Sequence, residues 1–289
     1  MKILITGQHG QVARELQRRL NVYGELAVLG RDRIDLTQPD QIRRQVQNIR
    51  PDLIINAAAY TAVDLAESER QTAFAINAVA PGIFAEEARL LDIPLIHYST
   101  DYVFDGTKVG PYNENDTPNP ISVYGESKLA GERAINDVQG KHLILRTSWV
   151  YSVHGRNFLL TMQRLMQEKN ELRIVADQMG APTWAGTIAE STQAIIRRWQ
   201  EGSVSTWGTF HMTGLGETSW FGFAQAIREA LRKQGKTCAK LLPISSSEYP
   251  TTATRPLNSR LDCSRLRRDW GVGQPDWRAA LSECLAEQM

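Results

Sequence analysis

Residues 2–13 of the chain, KILITGQHGQVA, decide its fold. The run KILIT (2–6) is short and apolar, as the buried strands of parallel sheets are. QVARELQRRL (11–20) follows with apolar residues at helical spacing, and a turn with two glycines joins the two runs. A strand, a glycine turn and a helix in this order predict the first unit of an α/β sheet.

The glycine turn has the spacing of a diphosphate-binding turn. Gly7 can adopt a positive φ, and Gly10 lets a ligand approach the backbone. The amides of Gly10, Gln11 and Val12 stand at the start of the helix, where the helix dipole favours an anion. We predict that these four residues bind a dinucleotide cofactor, although glycines in such a turn also occur without one.

The end of the second predicted strand bears on which cofactor is bound. In VLGRDRIDL, Arg31 follows Gly30, and its guanidinium suits the 2′-phosphate of NADPH. Asp32 is adjacent and suits the ribose hydroxyls of NADH instead. NADPH is the predicted cofactor and NADH the alternative, while a solvated charge cluster without a ligand stays open.

Strands and helices alternate through the first half of the chain. Further strands are predicted at 25–30, 52–59, 93–100 and 141–151, and helices at 39–49 and 66–91, where Pro81 could start a second segment. Because strands that alternate with helices form parallel units, we predict the fold class α/β, a Rossmann-like doubly wound parallel sheet with a smaller C-terminal substrate-binding lobe.

The regular alternation of strands and helices ends near residue 150, where irregular segments begin to separate the predicted elements. Residues 1–148, with returning segments near 185–214, are predicted to form an NADP-binding Rossmann domain. About 149–184 and 215–289 are predicted to form the substrate-binding lobe.

Composition narrows the class of function. The chain of 289 residues has 33 basic and 32 acidic side chains, so its net charge of +1 offers no field for nucleic acid or an acidic membrane. Three distant cysteines argue for a reducing compartment and against disulfides or a thiolate metal site. We expect a cytoplasmic protein without a membrane span.

The stretch SVYGESKLAGE (122–132) places Tyr124 and Lys128 four residues apart on one predicted helix face. An ammonium near a phenol lowers the phenol's pKa toward neutral pH, which would make Tyr124 an acid–base group. Ser99 and Thr100 end the preceding strand, and Thr100 faces the sheet edge where ligands bind. Tyr124, Lys128 and Thr100 are the predicted catalytic residues.

Several motifs occur together and in order along the chain: NAAAYTAVDLAE (56–67), STDYVFDG (99–106), YGESK (124–128), RTSWVY (146–151) and RPLNSRL (255–261). With the glycine turn they make the chain resemble the extended short-chain dehydrogenase/reductases, most closely the dTDP-4-dehydrorhamnose reductase family. The resemblance implies reduction of the C4 keto group of dTDP-4-dehydro-L-rhamnose by hydride from NADPH or NADH.

The resemblance also implies roles for individual residues. Tyr124 would donate the proton, Lys128 would bind the ribose and tune the tyrosine, and Thr100 would complete the triad. Further cofactor contacts would come from Asp35, Leu36, Ala59, Tyr60 and Thr61. Substrate contacts would come from Val63, Thr100, Asp101, Tyr102, Trp149, Asn157 and Arg255, the last at a diphosphate.

Three questions stay open at this point. Some relatives are dimers bridged by Mg²⁺, and Glu15 matches one ligand, but Gly186 stands where an acid is expected and Glu190 lies one turn on. A bridging Mg²⁺ and the choice between monomer and homodimer are therefore undecided. The alternative functions are a reductase or epimerase of another nucleotide sugar, or a non-catalytic regulatory subunit on the same fold.

Overall fold

The apolar runs of the sequence form strands, most of them within a residue or two of the predicted bounds. The computed structural model describes residues 1–203 and 206–288. Its strands are β1 (Lys2–Thr6), β2 (Glu25–Leu29), β3 (Leu53–Asn56), β4 (Leu95–Thr100), β5 (His142–Thr147), β6 (Val150–Tyr151), β7 (Glu171–Val175), β8 (Met179–Gly180), β9 (Thr183–Trp184), β10 (Gly208–His211), β11 (Thr218–Ser219) and β12 (Lys240–Ile244).

The helices differ from the prediction in one long stretch. They are α1 (Gln11–Leu20), α2 (Pro39–Ile49), α3 (Val63–Ala66), α4 (Arg70–Phe74), α5 (Ala80–Leu90), α6 (Val123–Val138), α7 (Phe158–Glu168), α8 (Ala185–Gln200), α9 (Trp220–Lys233), α10 (Ser264–Trp270) and α11 (Trp277–Ala286). The helical stretch predicted over 66–91 is interrupted at 67–69, between α3 and α4, and the π-helical turn Ala75–Val79 then joins α4 to α5. The second segment predicted at Pro81 is present, because α5 begins at Ala80. Among the described residues, no helix is long and apolar enough to span a membrane.

Six strands form one parallel sheet in the order β2-β1-β3-β4-β5-β10. Residues of α1, α8 and α10 build the core on one face, and residues of α2, α5 and α6 build it on the other. The predicted doubly wound α/β fold is confirmed. The chain runs from β1 to β2 on one side and then to β3 on the other, which opens a ligand crevice between the carboxyl ends of β1 and β3.

A second core lies away from the large sheet. Residues of α7, α9 and α11 pack there beside the parallel pair of β7 and β12. This core supports the predicted smaller lobe, whose boundaries remain our proposal. One helix departs from them, because Leu266 and Trp270 of α10 are fully buried in the core of the large sheet. Residues 204, 205 and 289, which fall inside the predicted ranges, lie outside the described residues.

Candidate active site

The glycine turn brings β1 against the segment that follows β3. Gly7 has φ +81°, and a Cβ there would lie 3.1 Å from the Ala57 carbonyl group and from the Ala58 Cα. The Gly10 amide donates to the Gly7 carbonyl at 2.7 Å, so it closes the turn and does not face an anion as predicted. The first turn of α1 has no side-chain cap, which leaves the amides of Gln11 and Val12 as donors for a diphosphate.

A second corner of the crevice lies beyond the carboxyl end of β2. A Cβ on Gly30 would lie 2.5 Å from both Gln8 Oε1 and Asp32 Oδ1, so the backbone and these side chains are close together. Gln8 Oε1 is buried and has no hydrogen-bond partner among the described residues. Arg31 and Asp32 are both exposed here, and their placement leaves NADPH and NADH both open.

Asp35 and Leu36 follow at the same end of the sheet. The Asp35 carboxylate accepts hydrogen bonds from the Thr37 amide and hydroxyl at 2.9 and 2.8 Å, and these bonds lower its pKa. The Leu36 side chain packs against the core on the α2 face. Their contact with an adenine remains a prediction.

The strand end of β4 and the first turn of α6 bring Thr100 and Tyr124 together. Ser122 caps α6 by accepting a hydrogen bond from the Gly125 amide at 3.2 Å, which places Tyr124 beside the sheet edge. Burial raises the pKa of Tyr124 to about 12, and a hydrogen bond with Thr100 counteracts this rise. The phenol is therefore protonated at neutral pH, which is the form that can donate a proton.

Lys128 does not act on Tyr124 as the sequence predicts. Its ammonium donates to the Tyr98 carbonyl at 2.7 Å and lies 3.0 Å from His97 Nε2. Burial lowers the pKa of Lys128 to about 8. The predicted lowering of the Tyr124 pKa is wrong for this structure, because burial outweighs any attraction from an ammonium that is bonded elsewhere.

Two glycines let α6 lie close to its neighbours. A Cβ on Gly125 would lie 2.2 Å from the Tyr102 carbonyl oxygen, and one on Gly131 would lie 2.0 Å from the Asn77 carbonyl oxygen. Neither space admits a larger residue, because both contacts are with backbone. The glycines of YGESKLAG thus seat the helix that carries Tyr124 and Lys128.

Asn77, in the π-helical turn, was not predicted from the sequence. Its Oδ1 accepts from the Tyr60 amide at 2.8 Å, and its Nδ2 donates to the Tyr60 carbonyl and to Ser127 Oγ at 3.0 Å each. These bonds hold the segment with half-buried Ala59 and exposed Thr61 against α6. The only signal in the sequence is one amide among the small apolar residues of AINAVA.

Aromatic residues form one wall beside the carboxyl end of β5. The Trp149 ring stacks on the Trp220 ring with centroids 3.6 Å apart, and a Cβ on Gly180 would lie 2.6 Å from the Trp149 ring. Trp149 has φ +47°, a conformation that costs a side chain on the order of 1–3 kcal/mol. Tyr102 meets Tyr124 edge to face at 5.4 Å. Such a wall suits the apolar face of a sugar.

Arg255 reaches the site from the C-terminal part of the chain. Its Nη2 lies 2.8 Å from Asp64 Oδ2, and Asp64 Oδ1 accepts from the Ala253 amide at 3.0 Å. Asp64 follows Val63 at the start of α3, so the ion pair joins two predicted substrate-binding segments. Pairing with a local acid is thus what the structure shows, and contact of Arg255 with a diphosphate remains a prediction.

Asn157 serves as the N-cap of α7. Its Oδ1 accepts from the Leu160 amide at 3.1 Å, and its Nδ2 donates to Gln11 Oε1 at 2.8 Å. The side chain therefore ties α7 of the smaller lobe to α1 of the cofactor side. Its predicted contact with substrate has no support in these bonds and stays a prediction.

Asp101 is buried next to Thr100, and one carboxylate oxygen has no hydrogen-bond partner among the described residues. Burial raises its pKa from 3.8 to about 6. A raised acid pKa means that folding disfavours the ionised form. The resulting cost is fully present above about pH 6 and is lost as the pH falls below 3.8.

Asp101→Asn is therefore expected to raise the free energy of unfolding at pH 7 by up to about 3 kcal/mol. The gain should disappear near pH 3.5, where Asp101 is protonated in both states. Urea unfolding at several pH values measures it, with Asp137→Asn at an exposed helix position as the control. A gain that does not depend on pH would contradict the assignment.

Glu15 has an arginine partner where the resemblance implied a metal. It is buried in α1, and Arg18 Nη2 lies 2.8 Å from Glu15 Oε2 and 2.7 Å from Glu287 Oε1. A Cβ on Gly186 would lie 2.5 Å from the Trp184 ring, so no acid fits there without a shift. Across residues 1–203 and 206–288, no three His, Cys, Asp or Glu side chains cluster as a metal site. These residues do not fit Mg²⁺ within one chain.

Comparisons with known proteins identify the family of the chain. The family model described as RmlD substrate binding domain matches residues 1–289. The dTDP-4-dehydrorhamnose reductase of Burkholderia thailandensis is 45% identical over 294 residues, which cover 99% of each chain. That of Escherichia coli is 42% identical over 294 residues, covering 99% of this chain and 98% of its own.

A solved structure extends the likeness to three dimensions. The crystal structure of the dTDP-4-dehydrorhamnose reductase of Bacillus anthracis in complex with NADP has a TM-score of 0.90 and 36% identity, and 99% of each chain is covered. Fold and sequence therefore indicate the same family. The chain belongs to the dTDP-4-dehydrorhamnose reductase family, nicotinamide-dependent oxidoreductases of the extended short-chain dehydrogenase/reductase superfamily.

Proposed function

We propose that the chain reduces the C4 keto group of dTDP-4-dehydro-L-rhamnose to give dTDP-L-rhamnose, with NADPH as the hydride source and Tyr124 as the proton donor. The observation that carries this proposal is the position of the Tyr124 phenol beside Thr100, at the sheet edge that also holds the glycine turn. Relatives that are 40–45% identical over the full chain carry the name of this reductase.

The residues of the crevice fit a nicotinamide dinucleotide. The uncapped first turn of α1 offers amides to a diphosphate, and only a glycine at position 7 leaves room beside Ala57. The unpartnered Gln8 Oε1 lies where a ribose hydroxyl would donate to it. When bound, the cofactor supplies the hydride, while the protein positions the substrate and the proton.

Each group of the triad has a distinct task in the proposed reaction. Tyr124 gives its proton to the oxygen of the sugar carbonyl as that oxygen gains negative charge. Thr100 then donates a hydrogen bond to the phenolate that remains, and Lys128, one helical turn away, contributes positive charge. Trp149 and Tyr102 hold the sugar ring between the aromatic wall and the phenol.

Arg31 is the residue that we propose selects NADPH over NADH. Arg31→Ala is expected to raise the KM for NADPH roughly 10- to 100-fold, because a charge-assisted bond to the 2′-phosphate is lost, and to leave the KM for NADH unchanged. Steady-state kinetics with both cofactors measures this. The control is Arg33→Ala, since Arg33 is also exposed but donates to the Val28 carbonyl. Equal effects on the two cofactors would remove Arg31 from this role.

One assay tests the proposed function as a whole. NADPH absorbance is followed with the 4-keto-rhamnose nucleotide and with other 4-keto sugar nucleotides, with NADH in place of NADPH, and with or without Mg²⁺. Consumption of NADPH with the rhamnose precursor supports the proposal. An epimerase would show no net consumption, and a regulatory subunit would show no turnover at all.

The cellular location of the protein, its binding partners and its oligomeric state belong to the same proposal. We propose a cytoplasmic location, supported by three free cysteines that a reducing compartment would keep unpaired. The partner is the dTDP-sugar alone, since a net charge of +1 gives nucleic acid nothing to bind. Both a monomer and a homodimer are compatible with the active site described above.

A further inference from the structure

A buried line of polar side chains runs beneath the active site to Lys128. The Asn56 amide lies 2.6 Å from Thr6 Oγ1 and 3.0 Å from His97 Nδ1, and His97 Nε2 lies 3.0 Å from Lys128 Nζ. All four side chains belong to residues that are at most 1% exposed. The line crosses the last residues of β1 and β3 and the middle of β4, which are in register with one another, and joins the glycine turn to α6. Three of its members have no assigned function.

Hydrogen-bond chemistry fixes the roles along this line. An ammonium only donates, so Nε2 of His97 must accept from Lys128. Burial and the nearby ammonium hold the pKa of His97 well below its usual value, so the ring is neutral and its proton sits on Nδ1. Nδ1–H needs an acceptor. Asn56 Nδ2 lies 3.0 Å from Nδ1, and Asn56 Oδ1 accepts from Thr6 Oγ1 at 2.6 Å. A half-turn of the amide exchanges its nitrogen and oxygen, and the ammonium requires this rotated form, in which Oδ1 accepts from Nδ1–H and Nδ2 donates to Thr6 Oγ1.

The same reasoning shows how many N–H groups of the Lys128 ammonium remain without an acceptor. The ammonium has three N–H groups, and the described residues give it two acceptors, the Tyr98 carbonyl and His97 Nε2. These two contacts fix the end of a side chain that otherwise rotates about four bonds. The third N–H is left as the donor that a bound ligand could use.

We propose that His97 is a positioning residue, which aims the Lys128 ammonium through Nε2 while Asn56 holds its ring through Nδ1. The proposal rests on the proposed function, because it gives Lys128 a part in turnover. The charged or titratable groups nearest Lys128 are His97 on β4, and Tyr124 and Glu132 on α6. Glu132 raises the pKa of Lys128 but is itself held by Arg146 at 2.6 Å. None of these can replace the acceptor that His97 provides.

Two substitutions of His97 distinguish a role in orienting the Lys128 ammonium from a role in packing alone. The amide of a glutamine at position 97 reaches the place of Nε2, while that of an asparagine reaches only the place of Nδ1. His97→Gln therefore keeps the bond to Lys128, and His97→Asn keeps the bond to Asn56. Turnover by His97→Gln should stay within about threefold of the native chain, whereas His97→Asn should lose roughly 100-fold in kcat with the KM for the sugar unchanged.

A second measurement does not depend on activity. In protein with ¹³C-labelled lysine, the Lys128 signal is identified by its absence from the spectrum of Lys128→Met. His97→Asn should move this signal and its titration midpoint, and His97→Gln should leave both near their native values. If the native chain does not oxidise NADPH with the sugar, the proposed function fails, and the lysine signal still tests the contact with His97.

The proposal is overturned if folded His97→Gln and His97→Asn lose turnover equally, or if the Lys128 signal is the same in both. Thermal unfolding first establishes that each variant is folded. If His97→Asn does not fold, His97→Gln carries the test alone. A large loss of turnover or a displaced Lys128 signal in folded His97→Gln would then overturn the proposal, and native values of both would support it.

Discussion

Tyr124→Phe is expected to lower kcat by roughly 10³-fold while NADPH binding stays within about twofold of the native value. The substitution removes the proton that the sugar oxygen needs and leaves the ring that packs against Tyr102. Burial keeps this phenol protonated at neutral pH, so Tyr124 can supply that proton. NADPH absorbance gives the rate, and quenching of protein fluorescence gives the affinity.

A matched control is Tyr23→Phe. Tyr23 packs partly buried against the large core, in the short helix after α1, so loss of its hydroxyl should leave kcat unchanged. Near-native turnover by Tyr124→Phe would refute the role of the phenol. Loss of NADPH binding together with turnover would mean that the ring is needed to shape the crevice, and not that it donates a proton.

Gly131→Ala is expected to lower the free energy of unfolding by about 3 kcal/mol, the upper part of the range for overpacked positions. The added Cβ would stand 2.0 Å from a backbone carbonyl, which cannot move aside as a side chain can. The helix α6 must move away from the π-helical turn. The free-energy cost of this movement exceeds the gain of about 1 kcal/mol that alanine has over glycine in a helix. Urea unfolding followed by circular dichroism measures the change.

The control for this prediction is Gly110→Ala, where an added Cβ would have no heavy atom within 4 Å. Its stability should stay within about 0.5 kcal/mol of native. Gly131→Ala should also reduce turnover, because Asn77 bonds both Tyr60 and Ser127 and moves with the turn. Equal stability of the two variants would show that α6 is not seated by close contact at Gly131.

The elements with strong periodicity could be predicted from the sequence almost to the residue. α1 and α2 have the predicted bounds, because the apolar face of each packs against a core. The strand β12 was not predicted from the sequence, because a proline such as Pro243 is unfavourable inside a strand. In the structure β12 pairs only with β7, and an edge strand tolerates proline. Within 66–91 the second segment at Pro81 was predicted, whereas the π-helical turn was not, because such a turn has the composition of an ordinary helix.

The site was predictable where its parts are local in sequence. The spacing of Tyr124 and Lys128 gave their shared helix, and the position after β4 gave Thr100. The bonding partners were not predictable, because they lie on other strands and helices. His97 is 31 residues from Lys128, and Asp64 is 191 residues from Arg255. Which acceptor an ammonium or guanidinium meets depends on strand order, and one sequence contains no direct record of that order.

The place of α10 affects how the chain folds during synthesis. The ribosome releases the glycine turn first, yet Leu266 and Trp270 belong to the same core as Ile3 and Leu16. α1 and α8 can cover most of that face of the central sheet earlier, but the part beneath α10 stays open until almost the whole chain has emerged. The nucleotide-binding half therefore completes its core only late in synthesis.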